Sequence, residues 1–145
     1  MSFTPNSKPP TTWRLLLIIP GGLALLGGLN GAMMLLDLPV PVNEVRLRDG
    51  HGIILVMGFV GTLIALERAV ALRQAWGYLA PICLGLGGLL FMSPVPTLAG
   101  RSLLAAGALG LVAIYVPLWR RHNDPTVLVQ LLGAVLLAGS AILWL

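Results

Sequence analysis

The stretch GHGIILVMGFVGTLIAL, residues 50–66, decides the fold of this chain, because it is apolar and carries no formally charged residue. A helix that crosses a bilayer needs roughly 20 mostly apolar residues, with about 17 to 25 tolerated. Charged residues make up only 10% of the 145-residue chain, against about 25% in soluble domains. The composition therefore predicts a membrane protein and excludes a soluble enzyme, a disordered chain and a secreted disulfide scaffold. Four further windows of similar length also lack charge: 15–36, 74–100, 102–119 and 125–145.

These windows predict an all-α fold, a polytopic bundle of about five transmembrane helices. The alternation of polar and apolar residues that marks a membrane barrel is absent, so helices must satisfy the backbone in lipid. Because the connections are short, neighbouring helices should be antiparallel and residues 13–145 should form one domain. A flexible, proline-rich cytoplasmic arm is expected over residues 1–12. We place the spans near 14–36, 51–72, 77–98, 102–119 and 127–145.

Three local features refine this layout. Residues 37–50 form the longest predicted connection, and Asp49 is expected to cap the second helix. Cys83 lies inside the third span without a partner cysteine in the chain, and we interpret it as a small buried apolar residue. The apolar end of the chain leaves two alternatives open: Trp144 is an interfacial anchor at the end of the protein, or the chain is the first part of a longer protein.

The start of the second span carries the arrangement that suggests chemistry. At 100° per residue, His51, Gly58 and Thr62 share one helix face, which begins with an imidazole and continues with small side chains. This pattern suits haem ligation and equally suits close packing against a neighbouring helix. The segment RLRDGHGIILVMGF, residues 46–59, resembles the start of the second helix in subunit I of haem-copper oxidases and in the related small nitric-oxide-response membrane proteins. Residues 62–72 resemble a segment of uncharacterised bacterial multi-span membrane proteins.

The resemblance implies that His51 is the axial ligand of a haem. The later histidines that hold copper in that superfamily are absent, so a complete oxidase core is excluded. Met34, like Met33 and Met92, is a soft ligand candidate for a haem or metal site with His51. A dimer that shares one haem between two copies of His51 is the alternative. His122 follows the fourth span, at the opposite end of the predicted bundle, so one monomer cannot provide a bis-histidine site.

Hydrolytic and phosphoryl-transfer motifs are absent from the sequence, and we do not expect the chain to act as an enzyme on its own. We interpret Glu67 and Arg68 as an interfacial ion pair rather than a proton relay. Three functions stay open: an accessory or assembly subunit of a bacterial respiratory or redox membrane complex, a haem- or metal-binding membrane protein using His51, and part of a small transporter. The expected partners are the lipid bilayer and other membrane subunits or further copies of the chain, with no nucleic acid.

The basic residues predict the orientation of the bundle. The positive-inside rule places the side richer in lysine and arginine in the cytoplasm, which predicts a cytoplasmic N-terminus in a multi-pass protein of the cell inner membrane. Six basic residues lie on the predicted inner side, Lys8, Arg14, Arg68, Arg73, Arg120 and Arg121, against Arg46, Arg48 and Arg101 on the outer side.

Cysteine labelling in intact cells tests this orientation in a Cys83→Ala background. A membrane-impermeant maleimide should label Asn43→Cys before cell lysis, whereas Ser7→Cys should react only after lysis. Labelling of Ser7→Cys in intact cells would reverse the assignment.

Overall fold

The computed structural model describes residues 15–145, except for the side chain of His122. In this range the chain forms five helices that are long and apolar enough to cross a membrane, which confirms the predicted all-α bundle. The predicted arm over residues 1–12 lies outside the described residues. We number the helices α1 (Ile18–Leu35), α2 (Val45–Leu72), α3 (Ala75–Met92), α4 (Thr97–His122) and α5 (Pro125–Leu143).

The surface of the bundle is apolar. Large side chains such as Leu26, Leu98 and Leu136 are 60–67% exposed, and a soluble monomer rarely presents so much contiguous apolar surface. In a bilayer the same side chains contact acyl chains. The chain is therefore a multi-pass membrane protein. Its first and last helices have the most lipid-facing surface, since only 28% of the α1 span and 17% of the α5 span are buried inside the bundle, against 44% for α2, α3 and α4.

Consecutive helices pack against each other and run antiparallel. The central helix α3 contacts α1, α2 and α4, whereas α5 packs on α4 alone. Arg46 lies at the end of the bundle where α2 and α4 begin, and Arg73 lies at the end where α2 stops. We call these the Arg46 end and the Arg73 end.

Small residues determine how closely α1, α2 and α3 approach. Midway along the bundle, a Cβ added to Gly88 of α3 would lie 3.0 Å from the Cα of Gly58 in α2. A Cβ added to Gly58 would lie 3.0 Å from the Cβ of Ala24 in α1. Any larger side chain at Gly58 or Gly88 would separate the helices, so these two glycines hold the backbones in contact.

Helix α2 changes its winding at this crossing. Ile54–Gly61 is a π-helical segment between two α-helical segments, and the buried Thr62 hydroxyl donates a 2.7 Å hydrogen bond to the Gly58 carbonyl oxygen. A π turn rotates the following side chains relative to a regular α-helix. Gly58 and Thr62 nevertheless both face α1. A Cβ added to Gly21 of α1 would lie 3.5 Å from the methyl carbon of Thr62.

The predicted start of α2 is wrong by six residues. The helix begins at Val45 after Glu44, and Asp49 lies inside it rather than at its N-cap. Burial of Leu47 and Gly50 explains the early start. Leu47 packs on Gly31 of α1, and Gly50 leaves room for the Phe91 ring of α3, so packing extends the helix through a charged segment.

The ends of α3 and α4 also differ from the predicted ones. Helix α3 stops at Met92 and not at residue 98, since Pro94 and Pro96 follow directly. Helix α4 starts at Thr97 instead of residue 102 and continues to His122 instead of 119. The predicted span began after the charged Arg101, but this side chain is tolerated inside α4 because its guanidinium donates to the Trp144 carbonyl oxygen at 3.3 Å.

Glycine-to-alanine substitution tests the packing of α1 on α2. A Cβ at Gly31 would lie 2.9 Å from the Cβ of His51 and closer still to the Leu47 carbonyl group, whereas nothing lies within 4 Å of one at Gly22. Gly31→Ala should lower the free energy of unfolding by about 1–3 kcal/mol through overpacking. Gly22→Ala is the matched control, because both variants gain the same helix propensity. Thermal unfolding in detergent measures the difference, and equal midpoints for the two variants would contradict the close contact.

Candidate functional site

Three places in the described bundle are candidate sites. The first is His51 with the helix face below it, and the second is a cavity at the Arg46 end. The third is a groove between α2 and α5. The sequence predicted only the first.

His51 lies near the start of α2, where its Cβ contacts the α1 backbone at Gly31. Its Nδ1 is 2.7 Å from the Arg48 carbonyl oxygen. Because a carbonyl oxygen only accepts hydrogen bonds, Nδ1 must carry a proton, and in the neutral tautomer with this proton Nε2 keeps a lone pair. Metal-binding histidines commonly have this arrangement, with one ring nitrogen donating to a carbonyl group and the other free for the metal.

The helix face below His51 is filled by protein. Gly58 is in contact with Ala24 and Gly88, and Thr62 is fully buried beside Gly21. A porphyrin seated along Gly58 and Thr62 would need the space that α1 occupies. The residues do not fit a haem at this place, and the face is a helix–helix contact.

The other predicted ligands are distributed around the same end of the bundle or lie far away. Met34 is partly buried against a small apolar cluster that includes Leu47 and Phe91, and Met92 lies over Gly27. The backbone of His122 ends α4 at the Arg73 end, as the sequence predicted. Among the described side chains, which do not include that of His122, no group of three histidine, cysteine, aspartate or glutamate residues is placed to hold a metal.

Asn30 is a buried polar residue that the sequence argument missed. Its side-chain Nδ2 donates to the Val42 carbonyl oxygen at 2.7 Å, and its Oδ1 accepts from the Val42 amide at 3.3 Å. Both hydrogen bonds join α1 to the connection before α2. Asn30 therefore fixes this connection over the Arg46 end. The sequence did not indicate this role, because a single asparagine in an apolar span does not show which groups it bonds.

The second place is a cavity of about 270 Å³ at the Arg46 end, which we call the Arg46–Arg101 cavity. Four helix ends meet around it. Arg46 is held there by two hydrogen bonds from Nη1, to the carbonyl oxygens of Ser93 at 2.8 Å and Val95 at 2.7 Å. Its lining residues are Val45, Arg46, Asp49, Gly50, Phe91, Thr97, Arg101 and Trp144.

Arg101 and Trp144 form one wall of this cavity. The Arg101 guanidinium carbon lies 4.1 Å from the centroid of the Trp144 ring, a cation–π contact. Trp144 also contacts Phe91, with ring centroids 5.2 Å apart. Trp144, which is an interfacial anchor in one of the two predicted alternatives, therefore contacts both Phe91 and Arg101.

The charges in the cavity do not neutralise each other. The salt bridge found within residues 15–145 joins Glu67 and Arg68 at the other end of the bundle, so Asp49 pairs with neither arginine. The Arg101 Nε is buried and has no hydrogen-bond partner in the described part of the chain. Two guanidinium groups and one carboxylate thus line the cavity without an internal ion pair.

The third place is an apolar groove of about 300 Å³ between α2 and α5, with α4 as its floor. We call it the α2–α5 groove. Gln130 of α5 lines it, and its side-chain Oε1 is buried without a hydrogen-bond partner among the described residues. Gly133, one turn further, has no atom within 4 Å of an added Cβ. The remaining lining residues are Val56, Val60, Gly61, Ile64, Leu111, Tyr115, Ala134 and Leu137.

The Glu67–Arg68 pair lies near the Arg73 end. The two side chains are 67% and 22% exposed, and their contact joins adjacent residues of α2. Close by, the Arg121 Nη1 donates to the Leu72 carbonyl oxygen at 3.2 Å. These contacts involve helix-end residues, in keeping with an interfacial pair.

Comparison with known proteins gives a family but no named relative. No curated protein and no solved structure matches the chain, and the resemblance of residues 46–59 to haem-copper oxidases stays a hypothesis. A family model described as a domain of unknown function, DUF8744, matches residues 14–145. This match includes all five helices, and the chain therefore belongs to the DUF8744 family.

Proposed function

We propose that this chain is an accessory or assembly subunit of a bacterial inner-membrane complex, and that it binds a transmembrane helix of its partner in the α2–α5 groove. The supporting observation is that the polar residue Gln130 lines this apolar groove and that its Oε1 has no hydrogen-bond partner among the described residues. An unpaired polar group inside hydrocarbon is costly, and a hydrogen bond from a neighbouring helix is a common way to satisfy it.

The shape of the groove favours a helix as the occupant. Gly61 and Gly133 line opposite sides of the groove, and small residues allow helix backbones to approach closely. Helix α5 packs only on α4 within the bundle, so its side next to α2 is free for a further helix.

An acyl chain is the competing occupant, but it has no hydrogen-bond donor. It would fill the volume between Val60 and Leu137 and leave the Gln130 oxygen unpaired. A partner helix with serine, threonine, glutamine or tryptophan at the right depth would fill the groove and also donate a hydrogen bond to the Gln130 side chain. This difference makes Gln130 the residue that distinguishes a protein partner from lipid.

Site-specific photocrosslinking in native membranes tests the proposal. A photoreactive residue at Leu137 should give one discrete adduct with a second membrane protein, and Gly133→Leu should abolish this adduct by filling the groove. Gln130→Leu should weaken it several-fold through the loss of a hydrogen bond, an effect of about 0.5–1.5 kcal/mol. Gly139→Leu is the matched control on α5, since nothing lies within 4 Å of its added Cβ either. An unchanged adduct in Gly133→Leu, or adducts with lipid alone, would refute the proposed interface.

Haem or metal binding by His51 is the second candidate function. The hydrogen bond from Nδ1 to the Arg48 carbonyl oxygen favours it, because the lone pair on Nε2 stays available to a ligand. The filled face at Gly58 and Thr62 restricts such a group to the outside of the α1–α2 contact. A metal ligand from Met34, or a second copy of His51, would then complete the site.

The absorption spectrum of the purified protein tests this second function. A Soret band that is lost in His51→Ala and kept in His122→Ala would support ligation by His51. In that case Gly58→Ala should leave the band in place and lower thermal stability, because Gly58 contacts Ala24 rather than a ligand. A band lost in His122→Ala and kept in His51→Ala would overturn the assignment.

A further inference from the structure

Independently of the α2–α5 groove, we propose that the Arg46–Arg101 cavity binds the headgroup of an aminophospholipid of the surrounding bilayer, such as phosphatidylethanolamine. Its phosphodiester lies between the Arg46 and Arg101 guanidinium groups, and its ammonium group lies at Asp49.

The depth of the cavity matches the headgroup layer. Helix α4 has 26 residues, about 39 Å at 1.5 Å per residue, and exceeds the roughly 30 Å hydrocarbon core. Helix α2 has 28 residues and exceeds it as well. Arg46 and Asp49 lie in the first turns of α2, and Arg101 lies about one turn inside α4. The charged side chains therefore lie where lipid phosphates are found.

The two arginines are arranged to receive an anion. Arg46 is tied through one terminal nitrogen to the carbonyl oxygens of Ser93 and Val95, which leaves its other nitrogens for a ligand. Arg101 lines the cavity and is held by the ring and the carbonyl oxygen of Trp144, without a carboxylate partner among the described residues. Held guanidinium groups lose little side-chain entropy on binding phosphate, which they recognise through paired N–H donors.

The acidic residues favour a headgroup that also carries a positive charge. Asp49 is exposed at the rim of the cavity, and Glu44 lines an adjacent cavity on the other side of Arg46. A purely anionic headgroup would place its other polar end beside these carboxylates, and that end has no positive charge to pair with them. A primary ammonium group provides both the positive charge and three hydrogen-bond donors. The walls from Phe91 and Trp144 offer an apolar surface to the adjoining glycerol and acyl carbons.

Native mass spectrometry of the full chain in detergent measures lipid binding directly. Phosphatidylethanolamine, phosphatidylglycerol and phosphatidylcholine with identical acyl chains are titrated, with inorganic phosphate as a fourth ligand. We expect phosphatidylethanolamine to bind several-fold more tightly than the other two lipids. Arg101→Gln should weaken its binding about tenfold, through the loss of charge-assisted hydrogen bonds.

Asp49→Asn tests headgroup selection without a folding problem, because this side chain is exposed. It should shift the preference from phosphatidylethanolamine towards phosphatidylglycerol. Arg48→Gln is the matched control: Arg48 is an exposed arginine of the same helix turn that lines a different cavity, beside Met34. It should leave all three affinities within twofold of the wild type, an effect near the lower limit for surface charges.

Several results would overturn the proposal. Equal losses in Arg101→Gln and Arg48→Gln would make the effect one of overall charge. An unchanged lipid preference in Asp49→Asn would remove the role of the carboxylate, and displacement of lipid by millimolar inorganic phosphate would make the cavity a simple anion site. Gly133→Leu should bind lipid normally, so failure of the partner interface and failure of the lipid site are distinguishable.

Discussion

The contact between Gly58 and Gly88, with Ala24 against it, is the constraint on which the bundle depends. Lipid is as apolar as leucine, so helices in a membrane gain little from hiding apolar side chains and instead associate through close packing. A Cβ on Gly88 would reach within 3.0 Å of the Gly58 backbone. The π-helical winding of Ile54–Gly61 lies at this crossing, and Thr62 hydrogen-bonds within it. Helices α1, α2 and α3 are therefore positioned against each other at this crossing, and their ends are held by other interactions.

Arginine side chains provide several of those interactions at the helix ends. The last carbonyl groups of a helix have no partner inside the helix, and three arginines donate from neighbouring helices to carbonyl groups at or just beyond helix ends. Arg46 reaches Ser93 and Val95 after α3, Arg101 reaches Trp144 after α5, and Arg121 reaches Leu72 at the end of α2. Residues that the sequence identified as topology signals thus also join the helices. Two of them, Arg46 and Arg101, keep further donors free at the headgroup layer.

The sequence predicted those features that depend on local hydropathy, and missed those that depend on distant residues. The five spans follow from windows without charge. The early start of α2 depends on contacts with other helices: Leu47 packs on Gly31 of α1, and Gly50 packs against the Phe91 ring of α3. Local hydropathy does not show these contacts, so the charged segment was interpreted as a loop. The face of His51, Gly58 and Thr62 was recognised as one surface, but the sequence did not show that this surface is filled by Gly31, Ala24 and Gly21 of α1. Arg101 and Trp144, 43 residues apart, give no joint signal along the chain.

The depth of each unpaired polar group indicates which class of partner satisfies it. Helix α5 has 19 residues, about 28 Å, so it fits within the hydrocarbon core, and Gln130 lies about 7–8 Å from its start. No lipid headgroup donor is available at that depth, whereas the polar side chains of another helix are. Arg101 lies near the start of a helix that exceeds the core, where phosphate groups are abundant. This difference in depth is the reason why we propose a protein partner at Gln130 and a lipid at Arg101.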